Sequence, residues 1–333
     1  MRGHYIAALV LLKQGLKMIS MIEKQTSFRS PAPHIFAECK SRLLRIEIQA
    51  IGVGVSQYIP RRIFSNKNQL VGSNAWGPEH PSHLGSYQPT IPEKFASVNE
   101  ARDYLASSRL TFFLYALGAN SENTPNKYSD TLRRWSTAFD RFLTGKENNL
   151  TAREKSAVHV LKIQRLILRG FVSTGCNRED VQPGNQTLWD KNDPIFEEIV
   201  SLADDVLLDA PDTASSSISS FTLDIGLVGS LYDVARRCRD PNIRRRAIHL
   251  LHSFSRQEGL WDGRLAARVA KRVVDIEESG LGTVVSCNDI PNSARVAAVL
   301  PVFEPEKRSV TSRFIKGAKR QAPQIDIHEI YEY

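Results

Sequence analysis

Apolar residues recur at intervals of three and four along most of the chain, a spacing that places them on one face of an α-helix. This pattern predicts nine helices, over about 4–24, 36–50, 97–117, 128–143, 151–169, 193–207, 223–238, 241–253 and 261–279. Several of the connections are short, which favours antiparallel helical hairpins. The predicted fold class is therefore all-α, an array of packed antiparallel helical hairpins.

Helix start signals support four of these elements. In a capping box, a serine or threonine and a glutamate three residues later each accept a hydrogen bond from a free backbone amide. The chain carries two such boxes, Ser97 with Glu100 and Thr151 with Glu154. Two other starts pair a capping aspartate with a proline at the first helical position, Asp193–Pro194 and Asp240–Pro241.

The helical pattern is broken in three places. Residues 56–92 contain five prolines and are predicted to form a loop excursion, and residues 209–220 form a second loop. Beyond Gly280, residues 294–303 and 308–314 are rich in valine and phenylalanine, which favours a short β-hairpin that turns at 304–307. The predicted organisation is a helical domain over 1–280, then a hairpin and flexible tail over 281–333.

Composition narrows the class of protein without specifying it. The chain is 41% hydrophobic and 24% charged, which is the balance of a globular protein. Its net charge of +8 is compatible with acidic partners but does not by itself indicate nucleic acid. The apolar run at 5–12 is too short to span a bilayer, so no membrane role is expected. Four scattered cysteines (Cys39, Cys176, Cys238 and Cys287) form no metal-binding spacing and favour buried thiols in a reducing compartment.

The densest motif lies between Arg237 and Gly280. Asp240 and Pro241 start a helix there, Gly259 permits a sharp connection, and Trp261 supplies a large apolar surface to the next helix contact. The last helix carries an inward stripe of Leu265, Val269, Val273 and Ile276. The residues that define the motif are Cys238, Arg239, Asp240, Pro241, Arg244, Arg245, Glu258, Gly259, Trp261 and Asp262.

This block resembles the late part of the fungal-specific regulatory domain, which follows a zinc cluster in fungal transcription factors. Cys-Arg-Asp-Pro with Ile-Arg-Arg, and Glu-Gly-Leu-Trp-Asp with Leu-Ala-Ala, carry the resemblance. Weaker matches occur in order at 14–17, 45–50, 99–102 and 132–135, so the resemblance covers roughly 3–315. It implies a nuclear regulator (cytoplasmic if the resemblance misleads) that binds co-regulators, itself or a small-molecule effector.

The family reads DNA through six clustered cysteines that hold two zinc ions. Here the nearest cysteines, Cys238 and Cys287, are 49 residues apart, so no residue can inherit a metal-binding or base-reading role. DNA is expected as a partner only if a zinc cluster lies upstream, and we expect the chain to be an N-terminally truncated or degenerate regulator. The alternative is a stand-alone helical interaction module with no transcriptional role.

Two further interpretations concern the charged residues. Six arginines (Arg236, Arg237, Arg239, Arg244, Arg245 and Arg246) could form a phosphate-binding or nuclear-import patch. We favour instead a solvated helix face paired with Asp240, Glu277 and Glu278, because the resemblance places these arginines in a structural block of the family. Gly52, Gly54, His249 and His252 complete no catalytic or metal-binding motif, so neither an enzyme nor a cofactor is expected.

Overall fold

The protein is described here from a computed structural model that covers residues 5–24, seven positions between 35 and 46, 90–116, 125–146, 149–174, 185–208, 221–222, 226–254, 257–258, 261–304, 309–316 and 326–332. Helices dominate these residues, and a small antiparallel sheet follows them, which confirms the predicted fold class. The helices are α1 Tyr5–Lys24, α2 Val98–Ala116, α3 Pro125–Leu143, α4 Ala152–Ser173, α5 Asp193–Leu208, α6 Val228–Arg237, α7 Pro241–Ser253 and α8 Gly263–Glu278.

The capping signals decide where three of these helices begin. Thr151 and Glu154 form the complete box at α4, and Ser97 Oγ accepts from the Glu100 amide at 3.1 Å ahead of α2. Asp240 caps α7 by accepting from two amides, with a proline at the first helical position. These three predicted starts are confirmed.

The predicted cap at Asp193 is wrong. A 3₁₀ helix over Gln186–Asn192 runs directly into α5, so Asp193 already has helical backbone angles (φ −51°, ψ −40°). Its carboxylate instead accepts a hydrogen bond from the Cys238 thiol. The Asp-Pro signal marks the right helix, but the turn before it removes the need for a cap.

Other predicted boundaries differ in the same region. Helix α6 begins at Val228 and not near residue 223, and Trp261–Asp262 form a two-residue strand ahead of α8. The described positions between 35 and 46 are helical, in agreement with the predicted second helix. The predicted loop at 209–220 and nearly all of the one at 56–92 lie outside the described residues.

Two hydrophobic cores share helix α4. One lies between α2, α3 and α4 and is built around Trp135, Phe139 and Leu161. The other lies between α4, α5, α6, α7 and α8 and includes Trp189 and Leu251. Helix α4 contributes Leu161 to one core and Ile163 to the other, so it packs in both halves of the helical array and connects them.

Trp135 offers a test of how the first core is held together. It is fully buried, its Nε1 donates to the Ala101 carbonyl at 2.9 Å, and its ring stacks on Phe139 at 4.7 Å between centroids. We expect Trp135→Phe to lower the free energy of unfolding by about 1–2 kcal/mol, because a phenyl ring keeps the stacking but loses the bond. Urea titration should leave the exposed control Thr137→Ala within about 0.5 kcal/mol of the wild type.

The C-terminal sheet has three antiparallel strands, β4 Val296–Glu304, β5 Ser309–Lys316 and β6 Asp326–Glu332, in that order. The predicted hairpin is confirmed as β4 and β5, in which Val299 lies opposite Phe314. The predicted free tail is wrong for β6, which pairs with β5 along its length. Its Tyr331 lies opposite Val310 and is buried with it, so the third strand extends the apolar face.

This sheet covers one side of α8. The stripe predicted to face inward on α8 (Leu265, Val269, Val273 and Ile276) packs against Val296, Phe314 and Tyr331 of the sheet. The alanines Ala266, Ala267 and Ala270 face the helical core on the other side. Helix α8 is thus buried on two sides, and the segment after residue 280 completes its environment.

A second, minimal sheet holds the connection between α7 and α8. Strand β1 (Phe221–Thr222) runs parallel to β2 (Gln257–Glu258), which runs antiparallel to β3 (Trp261–Asp262). A Cβ at Gly263 would collide with the Phe254 carbonyl oxygen, so this close approach of α7 to α8 requires glycine. None of the described helices is long and apolar enough to cross a membrane.

Candidate functional site

A buried ionic centre lies at the heart of the predicted motif. Arg239, Arg244 and Glu277 are all fully buried, and each guanidinium donates to a different oxygen of the Glu277 carboxylate, at 2.8 and 2.9 Å. The Val296 amide donates to the same carboxylate at 2.8 Å. One side chain of α8 therefore joins the α6–α7 turn, helix α7 and the first strand of the C-terminal sheet.

The electrostatics of this centre depend on pairing. Burial alone raises the pKa of Glu277, but the charges of Arg239 and Arg244 outweigh burial and bring that pKa below its ordinary range. Burial lowers the pKa of Arg239, and the nearby Arg244 lowers it further, while Glu277 opposes both effects. Two buried cations thus share one buried anion, so loss of Glu277 is expected to be strongly destabilising.

Four of the six arginines in the predicted patch are turned inward. Arg239 and Arg244 are fully buried, so the favoured interpretation of a solvated face is wrong for them. Arg236 and Arg237 are mostly covered and pair with Asp233, and Arg237 also lies over the rings of Trp189 (4.2 Å to the centroid) and Phe171. Their positive charge is used within the fold.

The remaining two arginines are partly exposed and paired with acidic side chains. Arg245 donates to Glu278 at 2.7 Å, and Arg246 contacts both Glu197 and Asp204 of α5. The predicted pairing of the cluster with Glu277 and Glu278 is confirmed, whereas Asp240 caps α7 instead. The six arginines therefore form no continuous exposed basic surface, and their geometry does not resemble a phosphate-binding patch.

Glu258 performs a second structural task in the motif. Its carboxylate is buried and accepts from three successive amides at the start of α6, those of Gly226, Leu227 and Val228, at 2.9–3.0 Å. Acidic groups are favoured at a helix N-terminus, where the amides are free and the helix dipole is positive. A Cβ at Gly226 would collide with this carboxylate, so the glycine makes the close approach possible.

The other motif residues hold adjacent turns. Cys238 is buried and its thiol donates to Asp193 at 3.4 Å. Burial and the charge of Asp193 raise the pKa of this thiol, which favours the neutral thiol over the nucleophilic thiolate. Asp262 caps α8 by accepting from the Leu265 amide at 2.7 Å. Gly259 lies outside the described residues, and only the backbone of Trp261 is described.

Arg295 was missed by sequence reasoning, and it links the segment before β4 to the 3₁₀ helix that precedes α5. It is buried, and it donates to the carbonyls of Ile290, Cys287 and Gln186 and to Asp190 at 2.6 Å. An isolated arginine whose partners Gln186 and Asp190 lie more than one hundred residues away leaves no local sequence signal.

The fork of Arg295 provides the next test. We expect Arg295→Lys to destabilise the protein by about 1–2 kcal/mol, because one ammonium group cannot reach all four acceptors. Urea titration measures the loss, and Arg264→Lys on the exposed face of α8 serves as the control. Equal stability of the two variants would show that the four bonds contribute no net stability.

The described residues contain no group of three or more His, Cys, Asp or Glu side chains arranged to hold a metal ion. His249 and His252 both lie on the exposed face of α7. The potential glycine-rich site at Gly52 and Gly54 lies outside the described residues. The motif has the geometry of a scaffold, because the hydrogen bonds of Glu258, Asp240, Asp262 and Glu277 form helix caps and ion pairs.

Comparison with known proteins links part of the chain to transcription. It is 39% identical over 85 residues to the aspercryptin biosynthesis cluster-specific transcription regulator atnN of Emericella nidulans. The match spans 24% of this chain and 14% of the length of that regulator. No family model matches the chain. No solved structure matches it either.

Proposed function

We propose that this chain is a transcription-regulatory region of a protein like the fungal zinc-cluster transcription factors, and that it acts in the nucleus through binding and not through catalysis. The similarity to a fungal cluster-specific regulator carries this proposal. The ordered motif resemblance, whose most specific block lies at 237–280, supports it. Its partners would be co-regulator proteins, a second copy of the chain or a small-molecule effector.

The arginines of the motif make contacts within the fold, which favours a scaffold over a DNA-binding surface. Proteins that bind DNA use exposed lysines and arginines to neutralise phosphates, and their affinity falls steeply with salt. In this chain the six arginines of the motif pair with carboxylates and carbonyls of their own fold or lie over its aromatic rings. Sequence-specific DNA contact would then come from a zinc cluster outside these residues.

The first test is made in cells. The chromosomal copy is replaced by Glu277→Ala, which removes the buried anion, or by Lys271→Ala, which changes an exposed ion pair on the same helix. Transcript profiling and imaging of the tagged protein are then compared with the wild type. We expect the tagged protein to be nuclear in all strains. A defined set of transcripts should change in the Glu277→Ala strain only.

Unchanged transcripts together with cytoplasmic protein would contradict the proposal and favour the stand-alone interaction module. The purified chain gives an independent check. It should show no tight, sequence-specific binding to a pool of random DNA duplexes, at low or physiological salt. Enrichment of one DNA sequence by the purified chain would contradict the proposal that sequence-specific DNA contact comes from a zinc cluster outside these residues.

A further inference from the structure

Helix α1 presents apolar side chains on two different faces. Leu12 is buried, and Gly15 lies against Leu43, so this side of α1 packs within the protein. Leu11, Met18 and Met21 are 66%, 62% and 57% exposed. With about 100° between successive residues, these three and the exposed Gln14 follow the spacing i, i+3, i+7, i+10 and form one stripe, the α1 outer stripe.

Lysine positions follow one edge of the outer stripe. At the same helical spacing, the backbone positions of Lys13, Lys17 and Lys24 fall together along the edge that lies away from the packed side. Lys17 is exposed and lies one turn before Met21. Glu23, the remaining charged residue of α1, occupies a position on the packed side. Three lysine positions therefore run along one side of the apolar outer stripe, and the side chain of Lys17 is exposed.

We propose that the α1 outer stripe binds an amphipathic helix of a partner protein, whose own apolar stripe is bordered by acidic residues. This inference rests on the proposed function, because it gives a co-regulator its docking surface and its chemistry. An amphipathic helix that lies on another helix or in a groove is anchored at i, i+3, i+4 and i+7, which matches the spacing of the outer stripe. Acidic residues along the partner helix complement the lysine border.

Two features of the stripe favour a protein helix over a lipid surface. Methionine is unbranched and polarizable, and methionine-rich surfaces accommodate differently shaped apolar side chains. The described stripe contains no tryptophan or phenylalanine of the kind that anchors interfacial helices in lipid, and Gln14 lies at its centre.

The binding test uses the full chain and two synthetic helical peptides. Both carry leucine at i, i+3, i+7 and i+10, and one has glutamates along one edge where the other has lysines. Fluorescence anisotropy gives the dissociation constant of each at 50 and 300 mM salt. We expect the glutamate-edged peptide to bind at least tenfold more tightly at low salt, and this preference to shrink at high salt.

Three variants locate the site. Met18→Glu combined with Met21→Glu should weaken the glutamate-edged peptide at least tenfold. Lys17→Glu should reverse or abolish the preference between the two peptides, which loss of apolar contact alone would not do. Leu208→Glu, at an 82% exposed leucine on α5, is the matched control and should leave both affinities unchanged. Circular dichroism and thermal unfolding verify that the variants fold alike.

Several outcomes would overturn the inference. Equal binding of both peptides, or no effect of the α1 variants, would show that the α1 outer stripe does not bind an acidic amphipathic helix. Saturable binding to phosphatidylserine vesicles that Met18→Glu abolishes would assign the stripe to a membrane surface. A dimer that the same variant dissociates in sedimentation velocity would assign it to a second copy. Loss of peptide binding without altered transcripts in cells would instead count against the proposed function and leave the docking site standing.

Discussion

Glu277→Ala is expected to lower the free energy of unfolding by about 3–5 kcal/mol. The substitution leaves two fully buried guanidiniums, those of Arg239 and Arg244, without their shared anion, and breaking a buried ion pair on one side costs about this much. It also removes the acceptor of the Val296 amide, where the C-terminal sheet begins. Urea titration monitored by circular dichroism and tryptophan fluorescence measures the loss.

Two further variants distinguish the effect of the Glu277 charge on stability from the effect of losing its side chain. Lys271→Ala removes an exposed ion pair from the same helix and should change stability by no more than about 0.5 kcal/mol. Glu277→Gln keeps the shape and one carbonyl acceptor but removes the charge, so its loss should fall between the other two. A loss of less than about 1 kcal/mol for both Glu277 variants would mean that water replaces the carboxylate and that the centre is not sealed.

The same centre predicts a dependence of stability on pH. The pKa of Glu277 is lower in the folded protein than its ordinary value of about 4.3, so the unfolded chain binds the proton more readily. The contribution of Glu277 is therefore complete above about pH 4.3, and it is lost as the pH falls through the folded pKa. Unfolding free energies measured from pH 7 to pH 3 should decline less steeply in Glu277→Gln than in the wild type.

The boundaries that could be predicted from the sequence are those decided within one helical turn. Thr151 with Glu154, and Asp240 with its following proline, satisfy amides two or three residues away, so their meaning does not depend on the rest of the fold. Asp193 carries the same signal, but the preceding 3₁₀ turn supplies the helix start, and the carboxylate bonds to a thiol 45 residues away.

The burial of the ionic centre could not be predicted in this way. Arg239 and Arg244 find Glu277 at separations of 38 and 33 residues, across a turn and a helix whose crossing no local pattern specifies. Arginines of this density are far more often solvated, so the sequence favoured an exposed face. The family resemblance drew attention to this block, but it could not distinguish a structural scaffold from a binding surface.

In the C-terminal sheet, too, one strand could be predicted from its local pattern and another could not. Alternation at Val310, Ser312 and Phe314 predicted a strand, because every second residue of a strand faces the same side. Strand β6 carries three acidic residues and a histidine among its seven residues, so its sequence does not look apolar although its Tyr331 is buried. Only the pairing with β5 shows that this tyrosine extends the face that packs against α8.

The cap formed by Glu258 leads to a prediction about a pair of residues. Glu258→Ala is expected to destabilise the protein by about 3 kcal/mol. Three amides at the start of α6 lose their acceptor, and they lie in a buried or partly buried environment where water does not readily replace it. Gly226→Ala should be destabilising as well, since its new methyl group occupies the space of the carboxylate, which cannot move without breaking those bonds.

Together the two substitutions should cost less than the sum of their separate effects by more than about 1 kcal/mol. The three atoms nearest to a methyl group at residue 226 all belong to the Glu258 carboxylate, so its removal should lower the steric cost of the second substitution. A double-mutant cycle from urea titrations of the four proteins gives this coupling directly, and Gly282→Ala, where a Cβ meets nothing within 4 Å, controls for the substitution itself. Additive losses would mean that Glu258 and Gly226 stabilise the start of α6 independently. The close approach between these two residues would then not be what holds the α7–α8 connection against α6.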